Sequence, residues 1–144
     1  MGAPLFLLGL ILLTLFSSER DREIMATKRE TGRRGEREAE MFLNDKGLRT
    51  LECNWQCSHK EIDLIMDEDN VIHFVEVRTL TAPSLLKPYE TVGIAKQRNL
   101  IRAASSYLAK KRVRKEVSFD IVSVLFNNGR AEIEYFPNAF SPRW

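Results

Sequence analysis

The chain is poor in the residues that build covalent or metal-stapled scaffolds: it has two cysteines and two histidines in 144 residues. Cys53 and Cys57 lie four apart with His59 close behind, but the second ligand pair of a structural zinc site is missing. Reduced, partly buried cysteines are the expectation, and a disulfide would matter only in an exported protein. Long apolar runs are also lacking. Leu5–Phe16 is almost wholly apolar, yet twelve residues fall short of the ~20 that a membrane-spanning helix needs. A signal peptide would carry a basic leader and a small-residue cleavage site. Met1-Gly2-Ala3-Pro4 has no basic residue, and Phe16-Ser17-Ser18-Glu19 is a poor cleavage signal. We therefore expect translation from Met25, with residues 1–24 an extension outside the fold and 25–144 a single cytoplasmic domain. Export or membrane tethering is the alternative. Repeats and low-complexity linkers are absent.

Charge of one sign is scarce as well. The net charge is +2, and residues 1–24 contribute −1, which leaves +3 for the remainder. That balance does not by itself indicate a nucleic-acid partner, but its distribution is uneven. Lys28, Arg29, Arg33, Arg34 and Arg37 cluster before and within one helical segment; Lys96, Arg98 and Arg102 recur on another, which ends in Lys110-Lys111-Arg112-Val113-Arg114-Lys115. Basic residues at a helix C-terminus complement its dipole, and the same residues could track phosphates. Both readings stay open at this point.

What the chain does have is a pair of strands with acids in the wrong places. Glu61-Ile62-Asp63-Leu64-Ile65 and Phe74-Val75-Glu76-Val77-Arg78 flank the polar cluster Asp67-Glu68-Asp69-Asn70, which suits a β-hairpin loop. With those four residues as the loop, Met66 faces Val71, Asp63 faces Phe74 and Glu61 faces Glu76. Side chains two apart share a strand face, so Glu61, Asp63, Glu76 and Arg78 project together. Ile65, Ile72 and Phe74 share that face, and Ile62, Leu64, Val71, Val75 and Val77 occupy the other, so both faces are covered. Carboxylates on a covered strand are costly without partners, and like charges opposite each other repel. A divalent metal between them resolves both problems.

Around this hairpin the pattern predicts a helix from about Gly32, ended by Gly47, with Ala39, Phe42, Leu43 and Lys46 at helical spacing. Leu48–Trp55 reads as an edge-like strand. Pro83 and Pro88 make Thr79–Val92 a loop. A second helix runs from about Gly93 to Lys111, with Leu100, Ile101, Ala104 and Leu108 buried. Val117–Phe126, the turn Asn127-Asn128-Gly129-Arg130 and Ala131–Phe136 complete the chain. The strand–helix–strand succession over Val71–Phe126 implies a parallel crossover. The order αβββαββ gives an α/β fold with a mixed sheet flanked by helices.

Gly32-x-x-Gly35-Glu36-x-x-Ala39, Gly47, Asn54-Trp55, Glu61–Ile65, Phe74–Arg78, Lys96-Gln97, Phe119-Asp120 and Asn138-Ala139-Phe140 occur in an order and spacing that resemble the YraN family. That bacterial group is similar in fold to the PD-(D/E)xK nucleases, among them archaeal Holliday-junction resolvases and tRNA-splicing endonucleases. The resemblance implies a three-layer α/β/α, restriction-endonuclease-like domain. It makes Asp63 and Glu76 the paired motif acids and metal ligands, and puts Arg78 where the nuclease pattern has Lys. Glu36 corresponds to a helix acid that reaches the same metal, and Lys96 to a polar residue facing the site. The implied cofactor is Mg²⁺ or Mn²⁺, held by Asp63, Glu76 and waters, with the Val77 carbonyl a further donor. The implied reaction is hydrolysis of phosphodiester bonds, DNA being favoured over RNA, and resolvase-like relatives act as dimers. Arginine keeps its charge and cannot serve as a base, so Arg78 is expected to clamp phosphate instead. Lys60 and Lys96 are candidate stand-ins for the missing lysine. Glu61 is expected to support the site, Asp120 to anchor a strand end, Phe140 to plug the sheet and Trp55 to lie in the core or at its rim. The alternative reading is a nucleic-acid-binding module or scaffold of a DNA-processing complex without turnover.

Overall fold

The computed structural model describes residues 4–142. The elements are α1 (Leu5–Asp45), β1 (Arg49–Cys57), β2 (Lys60–Glu68), β3 (Val71–Thr81), a short 3₁₀ turn (Pro88–Thr91), α2 (Ile94–Lys111), β4 (Glu116–Asn127) and β5 (Arg130–Phe140). The chain divides into two compact units, one up to Arg33 and the other from Arg34 onward. The first is the leading part of α1, whose apolar residues from Leu5 to Phe16 are exposed. Helix was expected only from about Gly32. After Pro4 no proline interrupts the sequence until Pro83, and residues 5–31 are rich in good helix formers, so the helix starts far earlier. No helix among the described residues is long and apolar enough to cross a membrane.

The second unit is a five-stranded sheet in the order β1-β2-β3-β4-β5, with β3 and β4 parallel and every other pair antiparallel. The expected order αβββαββ and the parallel crossover through α2 are both present. On one face, Ala39 and Leu43 of α1 pack against Leu64, Met66, Val75, Val77, Val122, Val124 and Phe126. On the other, Leu100, Ala103, Ala104 and Tyr107 of α2 pack against Ile65, Ile72, Phe74 and Phe119. The buried stripe of α2 is therefore rotated from the expected one, with Ile101 and Leu108 only half-buried. Tyr107 turns it, standing edge-on to both Phe74 (5.8 Å) and Trp55 (5.2 Å). Trp55 accordingly belongs to the core rim.

Two glycines fix the placement of α1. Gly47, at φ +103°, ends the helix: its N–H reaches Asn44 O, and the Leu48 N–H reaches Leu43 O. Gly35 lies against β3, where a Cβ would sit 1.9 Å from Thr79 Oγ1.

Three strand expectations are corrected. The β2–β3 turn is the two-residue Asp69-Asn70, with Asp69 at φ +49°, so Glu68 pairs with Val71 and Ile65, not Asp63, pairs with Phe74. A two-residue loop needs left-handed backbone that Asp tolerates, which makes the tighter turn accessible. A slip of two residues by itself preserves which side chains share a face, but Ile62, expected beside Leu64, packs in the opposite, α2-side core. Likewise the β4–β5 turn is Asn128-Gly129 (φ +49° and +78°), with Asn127 and Arg130 already paired. Finally, β5 extends past Phe136 to Phe140. Phe119 pairs with Phe140 but Ile121 with Phe136, so residues 137–139 buckle opposite Asp120.

Candidate functional site

The pairing between β2 and β3 ends at Leu64–Val75, while β2 stays paired to β1 as far as Lys60–Cys57. Beyond that point the Val77 N–H goes to the carboxylate of Asp63, with Oδ2 at 2.8 Å. A side chain thus takes up a donor that a continuous ladder would give to backbone. Ile62 joins the α2-side core instead of the α1-side core of Leu64 and Met66. Across on β1, Asn54 has φ +50° between the pairs Cys53–Leu64 and Trp55–Ile62. The strands part here, and the gap holds the acids.

Glu76 is almost completely buried, at 2 % exposure. Its Oε1 lies 3.2 Å from Arg78 Nε and 3.3 Å from Lys96 Nζ. Its Oε2 is buried with no hydrogen-bond partner. Burial, followed by the negative charge of Asp63, pushes the Glu76 carboxyl up to about 8, against the pull of Lys96 and Arg78. Asp63 is raised too, mainly by burial, while the Val77 N–H and Lys96 oppose the shift. These two carboxyls behave as one coupled pair: the charge of Asp63 resists ionisation of Glu76, while the Glu76 carboxyl beside it favours the ionised form of Asp63.

The cations come from separate elements. Arg78 is two residues beyond Glu76 on β3, and its Nη2 reaches the Thr91 carbonyl at 3.4 Å, tying it to the 3₁₀ turn. Lys96 is in the first turn of α2, behind Gly93 at the N-cap. Both side chains are about one-third exposed, at 32 % and 35 %. Each therefore has a buried contact with Glu76 and a face open to water.

Asp63, Glu76, Arg78 and Lys96 are thus brought together. Glu36, half-buried on α1, accepts a hydrogen bond from Asn54 Nδ2 at 2.9 Å, and Asn54 sits in β1 opposite Asp63. Glu61 is exposed, and its charge adds to the upward push on Asp63. Lys60 begins β2, paired with Cys57. Among the described residues, no three His, Cys, Asp or Glu side chains form a ready-made metal cage. Cys53 is exposed and Cys57 half-buried, both as thiols.

A second polar cluster was not recognised from sequence beyond the expectation that Asp120 anchors a strand end. Asp120 is fully buried and accepts hydrogen bonds from His73 Nδ1 (2.7 Å), Tyr135 Oη (2.6 Å), Ser118 Oγ (2.5 Å) and the Asn138 N–H (2.9 Å). These bonds hold its carboxyl below the usual range despite burial, and Asp120 in turn raises His73. Phe140 stacks on Phe119 at 5.3 Å, closing the α2-side core as expected.

The profile of the uncharacterised protein family UPF0102 matches residues 35–124, more than half of the chain. The chain belongs to the UPF0102 family. This is the YraN group to which the motifs pointed. The UPF0102 protein of Myxococcus xanthus is 36 % identical over 120 residues, covering 83 % of this chain and 95 % of its own. That of Alkalilimnicola ehrlichii is 46 % identical over 96 residues, covering 65 % and 76 %. The Bacteroides thetaiotaomicron protein is 32 % identical over 118 residues, covering 82 % and 98 %. The UPF0102 match contains Glu36, Asp63, Glu76, Arg78, Lys96 and Asp120.

Proposed function

We propose that this protein is a metal-dependent endonuclease that hydrolyses phosphodiester bonds in structured or single-stranded DNA, with Asp63 and Glu76 as metal ligands. The supporting observation is the Asp63–Glu76 pair itself. Two carboxyls, one almost fully buried with an oxygen lacking any hydrogen-bond partner, face each other where β2 and β3 part. As a structural feature this arrangement is costly, because buried like charges and orphaned polar atoms both destabilise. Hard oxygen donors of this kind suit Mg²⁺ or Mn²⁺, ions that retain several waters and need only one or two carboxylates from the protein. Such an ion would acidify a bound water and offset charge on the reacting phosphate.

The chain's own residues would do the rest. Asp63 is oriented by the Val77 N–H, so its carboxylate is fixed before any ligand arrives. Lys96 spends one N–H direction on Glu76 and has two more for a water or a phosphate oxygen. Arg78, pinned between Glu76 and Thr91, keeps a permanent charge at the opening and clamps phosphate without exchanging protons. Asn54 holds Glu36 at the β1 side of the gap.

A second reading is favoured by one observation: arginine, Arg78, stands at the position where the nuclease pattern has lysine. The chain would then bind nucleic acid without cutting it. A labelled panel of duplex, single strand, flap, four-way junction and RNA, incubated with Mn²⁺, Mg²⁺ or chelator, separates the two. Metal-dependent cutting that disappears in Glu76→Ala supports the nuclease. Binding without cutting supports the module, and neither binding nor cutting removes both.

A further inference from the structure

The buckle at the end of β5 creates a feature that the acid pair does not use. Asp120 draws in the Asn138 N–H, Asn138 takes φ +49°, and residues 137–139 leave the ladder. The segment that follows stands beside α2 as one wall of a cleft of about 360 Å³. Ile94, Gln97, Arg98, Ile101 and Arg102 form the other wall, facing Ser141 and Pro142. A second recess of about 360 Å³ shares Gln97 and Ser141 with it and reaches Asn138 and Phe140. Pockets for small organic groups span roughly 300–1,000 Å³, so the cleft is of ligand size.

Its lining has a definite chemistry. Ile94 and Ile101 lie two turns apart on one helix face, and Arg98 and Arg102 lie one turn apart beside them. Ile94 is 65 % exposed, so its apolar surface is open to the cleft. Several other basic side chains in the same unit are engaged. Arg34 donates to Gly129 O and lies over Phe126, Lys115 bonds Asp67, and Lys111 and Arg49 pair with Glu52 and Asp67. Neither Arg98 nor Arg102 is in an ion pair among the described residues. Gln97 follows directly on Lys96, so the cleft begins one residue along α2 from the lysine that contacts Glu76.

We infer that the cleft between α2 and the buckled end of β5 binds a single-stranded segment of the nucleic-acid substrate, an unpaired base on Ile94 and Ile101 and its phosphates on Arg98 and Arg102. This inference rests on the reading of the acid pair as a nuclease centre and specifies the substrate as one with unpaired nucleotides. Guanidinium groups suit it doubly, since they pair with phosphate and stack on bases. Apolar side chains accept the flat face of a base, while Ser141 and Gln97, whose Nε2 also donates to Val92 O, offer hydrogen bonds at its edge.

The test is binding of a fluorescein-labelled 20-nucleotide DNA strand to the full chain in chelator, followed by fluorescence anisotropy over a salt series. Arg98→Ala with Arg102→Ala should weaken binding by about tenfold or more and lower the salt slope by roughly 1.4, for two lost phosphate contacts. Lys46→Ala with Arg130→Ala removes the same charge elsewhere and should have a much smaller effect. Ile101→Trp fills the cleft without changing charge; it should weaken the single strand and spare a blunt duplex. Replacing the bases with abasic sites should remove the difference between Ile101→Trp and the parent. Equal losses in the two arginine/lysine pairs, or parental binding by Ile101→Trp, would overturn the cleft as a binding site. A parent that cuts while these variants bind normally overturns only this inference. A parent that binds no nucleic acid overturns the nuclease reading with it.

Discussion

Lys96 Nζ lies 3.3 Å from Oε1 of Glu76, although one residue opens α2 and the other is in the middle of β3. The contact links the helical layer to the acid pair. With Arg78 fixed in its charged form, Lys96 is the cation that can still reorganise around water. Lys96→Met should reduce metal-dependent cleavage by about 10²-fold while leaving strand binding within a few-fold. Arg78→Lys should retain activity, and Arg78→Ala should raise KM. Single-turnover and steady-state rates on the preferred substrate check all three.

Glu76 should also make the protein pH-sensitive in the absence of metal. Its carboxyl is held up at about 8, above its ordinary value of 4.5. Between those values the folded state binds the proton that the unfolded state has lost. Stability therefore falls as pH rises across this window and levels off above it. Glu76→Gln removes the buried charge. It should match the parent near pH 4.5 and exceed it at pH 8–9, by a few kcal/mol on the scale of about 1.4 kcal/mol per pKa unit. Urea unfolding at the two pH values, in chelator, is the measurement.

In the second polar cluster, Asp120 should respond in the opposite sense and His73 in the same sense. Asp120 is held below its ordinary value, so its contribution is present above about pH 4 and lost as pH falls through its folded value. His73 is raised by Asp120, and its share is lost as pH rises through its own folded value. Asp120→Asn leaves four donors with a neutral, half-suited acceptor and should cost about 3 kcal/mol at pH 6. His73→Ala should cost less and flatten the pH dependence around neutrality. Thermal melts from pH 4 to 9 read both.

Much of this was legible in the chain, and what was missed has physical causes. Asp63 and Glu76 stood out because acids on a doubly apolar hairpin have few explanations. The register was misjudged by two because Asp67–Asn70 offers four polar residues, and only backbone geometry shows that Asp69 takes the left-handed position. Most faces survived that error since strand alternation repeats every two residues, but Ile62 lies on the side opposite Leu64 because alternation breaks at Asp63. Lys96 beside Glu76 was reached through family resemblance, because no local pattern links a helix start to a distant strand. His73 and Tyr135 were not grouped with Asp120, since their meeting depends on β3, β4 and β5 lying side by side. The early start of α1 was missed because residues 1–24 were set aside as an extension outside the fold, whereas the chain runs helical without a break from Leu5.

Gly35 provides a test of the packing between α1 and β3. A Cβ there would fall 1.9 Å from Thr79 Oγ1 and 2.9 Å from Thr79 Cβ, so Gly35→Ala should destabilise by about 1–3 kcal/mol. Adding Thr79→Gly removes all three offending atoms, and the pair should be closer to additivity-breaking rescue than to a summed loss. A double-mutant cycle in urea measures the coupling.

Titration of chelator-stripped protein with Mn²⁺, followed by the loss of the free-ion paramagnetic signal, tests the central claim most directly. The parent should bind Mn²⁺ at one site per chain, with affinity rising between pH 7 and 8.5 as Glu76 loses its proton. Asp63→Asn and Glu76→Gln should each abolish that site in folded protein. Binding that is absent in the parent, or unchanged in both variants, would contradict the assignment of Asp63 and Glu76 as a metal centre.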